Sequence, residues 1–325
     1  MSRKISRRSF LKGTLAAAGV LGAAAVPAPA RAAFAREMAT LIDIQKCIGC
    51  EACVEACREA NQAKYPRPQK PFPKMIPATV KVSDWSEKKD VSSRLTPYNW
   101  VFIQEARVEV QGKERSFTFP RRCMHCQNPP CANLCPWGAA GKAENGITLI
   151  DPELCLGGSK CQDVCPWSIP QRQTGVGPYL DLMPSLAGNG VMYKCDRCFN
   201  RIREGNIPAC IEACPENVQK IGPREEILKE AHALAGKIGG YIYGENENGG
   251  TNTVYVSPVP FEVLNKGIEK GPGRPGLQVV ENSMWQAENL GKAMLIAPLA
   301  GIAAAVGKFY GFTKKLHGSE EEEKR

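Results

Sequence analysis

Fifteen cysteines in a chain of 325 residues fall into four runs, and one run is a member short. Cys47, Cys50, Cys53 and Cys57 are spaced C-x2-C-x2-C-x3-C. Cys123, Cys126, Cys131 and Cys135 are spaced C-x2-C-x4-C-x3-C-P, and Cys195, Cys198, Cys210 and Cys214 are spaced C-x2-C-x11-C-x3-C-P. The third run holds only Cys155, Cys161 and Cys165, with Gly158 standing where C-x2-C-x2-C-x3-C-P requires its second thiol. The odd count is thus explained by position. Two-residue gaps let consecutive thiolates curl around one face of a polynuclear centre, and the small Gly49 eases the turn in the first run. The fourth cysteine of such a run, usually before a proline, serves the other cluster of a pair. Pro136, Pro166 and Pro215 stand there, whereas Arg58 follows Cys57. The chemistry these residues point to is that of four iron–sulfur clusters.

Other uses of cysteine fit less well. A tetrahedral zinc site needs only two Cys-x2-4-Cys pairs. Covalent haem needs C-x-x-C-H, but Glu51, Val54, Gln127 and Phe199 follow Cys50, Cys53, Cys126 and Cys198. A disulfide framework would not repeat one ligand grammar four times. Nothing else in the chain competes for catalysis. It has three histidines, no Gly-x-Ser-x-Gly elbow, no phosphate-binding loop and no dinucleotide fingerprint.

The elements that must hold these loops are short. Apolar segments from Thr40 to Asp43 and from Ile147 to Asp151 precede the first and third runs and read as strands leading into a ligand loop. A short helix is expected after each closing Cys-x-x-x-Cys step. Lys64 to Ser93, rich in Pro, Lys and Ser, reads as an insertion loop. Asn99–Val110 and Ser116–Phe119 read as strands around a Gln111-Gly112-Lys113 turn. Arg224–Leu234 carries Ile227, Leu228, Ala231 and Leu234 at helical spacing. From 236 to 290 the Gly-, Asn- and Pro-rich sequence reads as an irregular extension lying on a partner, with one strand at Thr253–Val256. Trp137 and Trp167 each follow a Cys-Pro and read as packing over the loops. His125 reads either as a hydrogen-bond donor that tunes a cluster or as an ordinary loop histidine.

The two ends speak of location. Residues 1–32 carry six basic residues and no acid, which leaves the remainder a formal charge of +3. With no basic–aromatic stripe either, no nucleic-acid partner is expected. Ser6-Arg7-Arg8-Ser9-Phe10-Leu11-Lys12, an apolar stretch from Thr14 to Val26 and A-x-A-like steps near 28–32 resemble a twin-arginine signal peptide. That route exports folded proteins, so clusters assembled in the reducing cytoplasm arrive outside with their thiols already ligated. Near the other end, Ala293 to Phe312 carries one charge, Lys308. As a helix it spans about 30 Å, the thickness of a bilayer core. A transmembrane helix over 291–312 and a charged tail over 313–325 follow, with the lysines beyond it placing the C-terminus inside.

Over roughly Thr40 to Ile221 the four runs resemble the β-subunit family of periplasmic and membrane oxidoreductases, the four-cluster ferredoxins of dimethyl-sulfoxide reductase and formate dehydrogenase type. Within it the chain is most similar to the membrane-anchored iron–sulfur subunits of hydrogenase-2-type nickel–iron hydrogenases. The resemblance implies ligand exchange between first and last runs and between second and third. One [4Fe–4S] cluster would sit on Cys47, Cys50, Cys53 and Cys214, the next on Cys195, Cys198, Cys210 and Cys57, and a third on Cys123, Cys126, Cys131 and Cys165. Cys155, Cys161 and Cys135 would hold the fourth. Since Gly158 offers no ligand atom, a [3Fe–4S] cluster is expected there, the alternative being a fourth [4Fe–4S] cluster completed by Ser159, Asp163 or water.

The expected fold is α+β. Two pseudo-symmetric ferredoxin-like bis-cluster halves, one inserted in the other, occupy 33–235, and the C-terminal transmembrane helix follows. The expected function is a non-catalytic relay that passes single electrons between a periplasmic catalytic subunit and an integral membrane quinone-reactive subunit. It would act at the periplasmic face of the cytoplasmic membrane. Nickel–iron hydrogenase is the preferred catalytic partner, with a molybdenum or tungsten oxidoreductase as the alternative. A self-contained iron–sulfur enzyme using the open site at Gly158 is a third reading, for which the sequence offers no acid–base groups.

Overall fold

The computed structural model describes residues 36–72, 74, 78, 81–182 and 190–285. Among these residues the strands are β1 (Met38–Asp43), β2 (Phe102–Val110), β3 (Lys113–Arg121), β4 (Ala140–Lys142), β5 (Thr148–Ile150), β6 (Gln171–Gln173), β7 (Val191–Tyr193), β8 (Gln219–Pro223), β9 (Tyr241–Tyr243) and β10 (Thr253–Ser257). The α-helices are α1 (Ala52–Asn61), α2 (Pro130–Asn133), α3 (Lys160–Asp163), α4 (Tyr179–Leu182), α5 (Phe199–Arg203), α6 (Ala209–Glu212), α7 (Arg224–Ile238) and α8 (Phe261–Gly267).

One four-stranded sheet, ordered β8-β1-β10-β9, forms the backbone of the molecule, and three two-stranded ribbons surround it. β1 runs parallel to β10 and antiparallel to β8. Strand alternation gives the sheet two different faces. Ala39 and Leu41 of β1 and Val254 and Val256 of β10 pack under Ile227, Ala231 and Ala235 of α7. Ile42 and Tyr255 join the core that contains the cysteines. The sheet therefore stands between α7 and the ligand loops. α7 itself carries Glu225 and Glu226 at its positive end and Lys237 in its last turn, and Gly239 (φ 62) ends it in a left-handed cap.

Beside runs two, three and four the helix lies before the fourth cysteine, not after it as expected. α2, α3 and α6 carry Cys131, Cys161 and Cys210, and stop just short of Cys135, Cys165 and Cys214. Pro136, Pro166 and Pro215 explain the stop, since a proline disfavours helical backbone at the residue ahead of it. Cys57 is followed by Arg58, and there α1 runs on through Cys57 to Asn61.

The described part of the extension expected over 236–290 carries regular structure. β9 and β10 lie in the central sheet, and Val254, Tyr255 and Val256 are fully buried. Without β10, β1 would lose its parallel neighbour, so this stretch belongs to the folded unit. The β2–β3 hairpin turns through Gln111 (φ 53) and Gly112 (φ 73), a two-residue turn with both φ positive that suits the twist of the strands. β3 starts at Lys113, ahead of the expected Ser116, because its polar tip projects into solvent and shows no alternation.

Residues 65–93 form no strand or helix where they are described. They are tied down at Ser83 and Trp85, whose N–H groups donate to Thr174 Oγ1 (3.0 Å) and Gln173 Oε1 (2.8 Å). The export signal expected over 1–32, the membrane helix over 291–312 and the tail over 313–325 lie outside the described residues. Among the described residues no helix is long and apolar enough to cross a membrane.

Candidate metal centres

The four ligand loops share one backbone device. The residue two past the first cysteine is left-handed in each, namely Gly49 (φ 73), His125 (φ 48), Gly157 (φ 65) and Arg197 (φ 53). This bend turns its N–H back onto the first sulfur. His125 N donates to Cys123 Sγ at 3.5 Å and Arg197 N to Cys195 Sγ at 3.3 Å. Gly49 and Gly157 donate likewise to Cys47 and Cys155. Such a bond favours the thiolate, the form that binds metal. At Gly49 the bend also needs room, because an added Cβ would press on Thr118 Cγ2 at 3.3 Å. Thr118 in turn donates to Cys47 O at 2.8 Å.

Runs one and three match residue by residue. After the second ligand position both have a further left-handed residue, Glu51 (φ 60) or Ser159 (φ 58), and a helix starts at the next position. Gly158 therefore occupies the place of Cys50. Both are exposed, and a Cβ added at Gly158 would meet nothing within 4 Å. Its neighbour Ser159 turns its hydroxyl to Gly157 O and Met192 Sδ, each at 3.5 Å, and Asp163 is exposed.

The loops bring the thiols together in four groups. Site A is a cavity lined by Cys47, Cys50, Cys53 and Cys214, with Ile48, Ile103 and Val218. Site C is a second cavity, lined by Cys123, Cys126, Cys131 and Cys165, with Trp167, Ile169 and Lys194. At site B burial pushes the Cys57 thiol well above its ordinary value, and the nearby Cys210, Cys195 and Cys198 add to the shift. At site D burial raises Cys155 and Cys161, with Cys135 acting on both. Beyond burial, thiols of neighbouring groups also lie near enough to raise one another. Cys210 of site B acts on Cys53 of site A, Cys123 of site C on Cys195 of site B, and Cys131 of site C on Cys161 of site D. These proximities give the groups the order A–B–C–D.

All fifteen cysteines are unpaired. Among the described residues no three Cys, His, Asp or Glu side chains converge closely enough to hold a single metal ion. At sites A and C the thiols ring a space instead, as a polynuclear centre requires. Buried charge supports the same fit. Arg121, Arg122, Lys194 and Arg197 are buried, against a single buried carboxylate among the described residues, Asp43. Buried cations need anionic partners. Arg122 Nη1 donates to Cys210 Sγ at 2.8 Å, while its Nε and Nη2 find no acceptor among the described residues. Burial works against the Arg122 charge, but Cys210 and Cys195 hold its pKa above the ordinary range. Net-negative iron–sulfur clusters on these thiolates would supply the missing counter-charge.

Sequence reasoning overlooked these cations, although Arg-Arg-Cys123 and Lys-Cys195-Asp-Arg-Cys198 display them in the chain. His125 is fully buried. Its Nδ1 accepts from Thr148 N at 3.1 Å, and burial, with Arg197 and Lys194 nearby, keeps the ring neutral. The ring proton then sits on Nε2, which no acceptor among the described residues meets. Of the two Cys-Pro-Trp residues, Trp167 lines site C and donates to Tyr243 OH at 2.8 Å. Trp137 does not pack over its loop but is 60% exposed.

Fold and sites together define a ferredoxin-like protein of mixed helix and sheet that carries iron–sulfur clusters. Two models of the 4Fe-4S dicluster domain match the chain, one over residues 46–139 and one over 115–224. The nitrate-inducible formate dehydrogenase iron-sulfur subunit of Escherichia coli K12 is 30% identical over 279 residues, 83% of this chain and 84% of that one. The hydrogenase-2 operon protein HybA of E. coli O157:H7 is 28% identical over 298 residues, covering 80% and 83%. The probable anaerobic dimethyl sulfoxide reductase chain YnfG of E. coli K12 is 29% identical over 194 residues, covering 60% and 77%. The chain belongs to this family of dicluster iron–sulfur subunits of multi-subunit oxidoreductases.

Proposed function

We infer that this chain is the iron–sulfur electron-transfer subunit of an oxidoreductase complex, passing single electrons along four clusters. The observation that carries this is the gathering of the four cysteine runs into four neighbouring thiol groups. In this reading sites A, B and C each hold a [4Fe–4S] cluster on the cysteines grouped there. Site D holds a [3Fe–4S] cluster on Cys155, Cys161 and Cys135. The matching backbones of runs one and three support that assignment, because they leave Gly158 alone at the missing ligand position. The clusters supply reversible one-electron chemistry. The protein's part is to hold them in line, exclude water and tune each by charge and N–H···S bonds.

The partners in this reading are a catalytic subunit and a quinone-reactive membrane subunit, at the outer face of the cytoplasmic membrane. Export rests on the Arg7-Arg8 signal, and anchoring rests on the apolar stretch 293–312. Nickel–iron hydrogenase is the preferred catalytic partner, given the likeness to HybA. A molybdenum or tungsten enzyme is the second reading, favoured by the formate dehydrogenase subunits at 30% and 31% identity. Purification of the complex from membranes, with metal analysis of the accompanying subunit, tests both. Nickel is expected, molybdenum or tungsten would move the assignment to the second reading, and turnover by the isolated chain would overturn the relay.

A further inference from the structure

The residue ahead of the first cysteine differs between outer and inner runs. Before Cys47 and Cys155 stand Lys46 and Leu154, both exposed. Before Cys123 and Cys195 stand Arg122 and Lys194, which are 1% and 6% exposed. These two cross over. Arg122 leads into Cys123 of site C, yet its Nη1 donates to Cys210 Sγ of site B at 2.8 Å. Lys194 leads into Cys195 of site B, yet it lies on the wall of the cavity ringed by the site C cysteines. Carbonyl oxygens hold its ammonium there, Thr148 O at 2.5 Å and Cys195 O at 3.2 Å. The carboxylate beside this junction, Asp196, is bound to Lys64 at 2.5 Å.

We propose that Arg122 and Lys194 are a reciprocal pair of potential-setting residues, Arg122 stabilising the reduced centre at site B and Lys194 the reduced centre at site C. The proposal rests on the assignment of clusters to the thiol groups given above. Reduction adds one negative charge to a centre buried away from water, where a fixed cation acts strongly. Each half of the protein thus supplies the counter-charge for the other half's inner centre. Among the described residues no buried cation stands ahead of the first cysteine of either outer run, although the charge of Arg122 also reaches Cys53 of site A. The inner centres are held at higher potential than their ligands alone would give, which favours entry of an electron into the middle of the row.

The test is an anaerobic potentiometric titration of the full-length holoprotein, followed by EPR, with iron and acid-labile sulfide measured on every sample. Lys194→Met is expected to keep both contents and to lower the reduced-to-oxidised ratio of one centre at fixed potential by tenfold or more, which is about 59 mV for a one-electron couple. Lys194→Arg should recover most of that shift. Arg122→Met and Arg122→Lys should behave in the same way at a different centre. Unchanged potentials in fully loaded Met variants overturn the proposal. So does an equal shift at all four centres, or a shift as large in the charge-keeping variants, either of which marks a structural role. Unsubstituted protein carrying isotopic label on the arginine guanidino nitrogens, or on the lysine side-chain nitrogen, should show a nitrogen hyperfine coupling at one reduced inner centre. Its absence overturns that residue's role even if the Met variant fails to load. Iron and sulfide short of four centres in the unsubstituted chain would instead overturn the cluster assignment, so the two failures are distinct.

Discussion

Gly158 shows how a single position can change a metal centre while the backbone around it stays the same. Gly49 and Gly157 are both left-handed, Glu51 and Ser159 are both left-handed, and a helix starts one residue later in each run. Only the thiol is missing, and open space lies where its Cβ would be. Gly158→Cys should therefore restore a fourth ligand at little steric cost. EPR of the oxidised variant is expected to lose the three-iron signal, and iron content should rise. Persistence of that signal in a fully loaded variant would place the three-iron centre elsewhere. Cysteine spacing made the ligands legible in the sequence, because a cluster constrains spacing directly. The buried cations were not legible in the same way. Arg122, Lys194 and Arg197 look like ordinary surface residues until the fold shows that they are buried near the thiols.

At the scale of elements, proline decides where the helices stop. Cys135, Cys165 and Cys214 each sit between a one-turn helix and a proline, so the fourth thiol is carried away from its own loop. α1 lacks that stop and continues to Asn61, where Asn61 Nδ2 donates to Cys57 O at 2.9 Å. The Cys-Pro steps were visible, but helices of four residues leave no periodicity to read. α7 was legible from its apolar spacing. β9 was not, since three residues between glycines carry no alternation, and their place in the sheet is set by the distant pairing with β10. α7 packs on the face of the sheet away from the thiols, through Ile227, Ala231 and Ala235. Ile227→Ala should cost about 2–4 kcal/mol, seen as a lower thermal midpoint, with EPR signals and iron content unchanged. Loss of one particular cluster in that variant would show that α7 is coupled to the ligand loops.

At the scale of the molecule, runs one and four meet and runs two and three lie between them in sequence, so one half is inserted in the other. The ligand groups close the outer half around the inserted one, since site B draws Cys57 from before the inserted runs and Cys195, Cys198 and Cys210 from after them. The core gathers many of the cysteines, and buried Arg122 leaves Nε and Nη2 without an acceptor among the described residues. Removal of the clusters should therefore unfold the cluster-bearing region rather than leave an empty scaffold. Limited proteolysis of chelator-treated protein checks this, with rapid degradation expected between 40 and 220, and a resistant apo core would refute it. The central claim is that four centres stand in a row and one of them lacks a ligand. The most direct measurement is Mössbauer spectroscopy of isotopically enriched, anaerobically purified full-length protein, with iron and sulfide determined per chain. Three four-iron centres to each three-iron centre, all reducible by single electrons, is the result predicted here. Fewer than four centres in fully loaded protein, or iron bound as single ions, would contradict it.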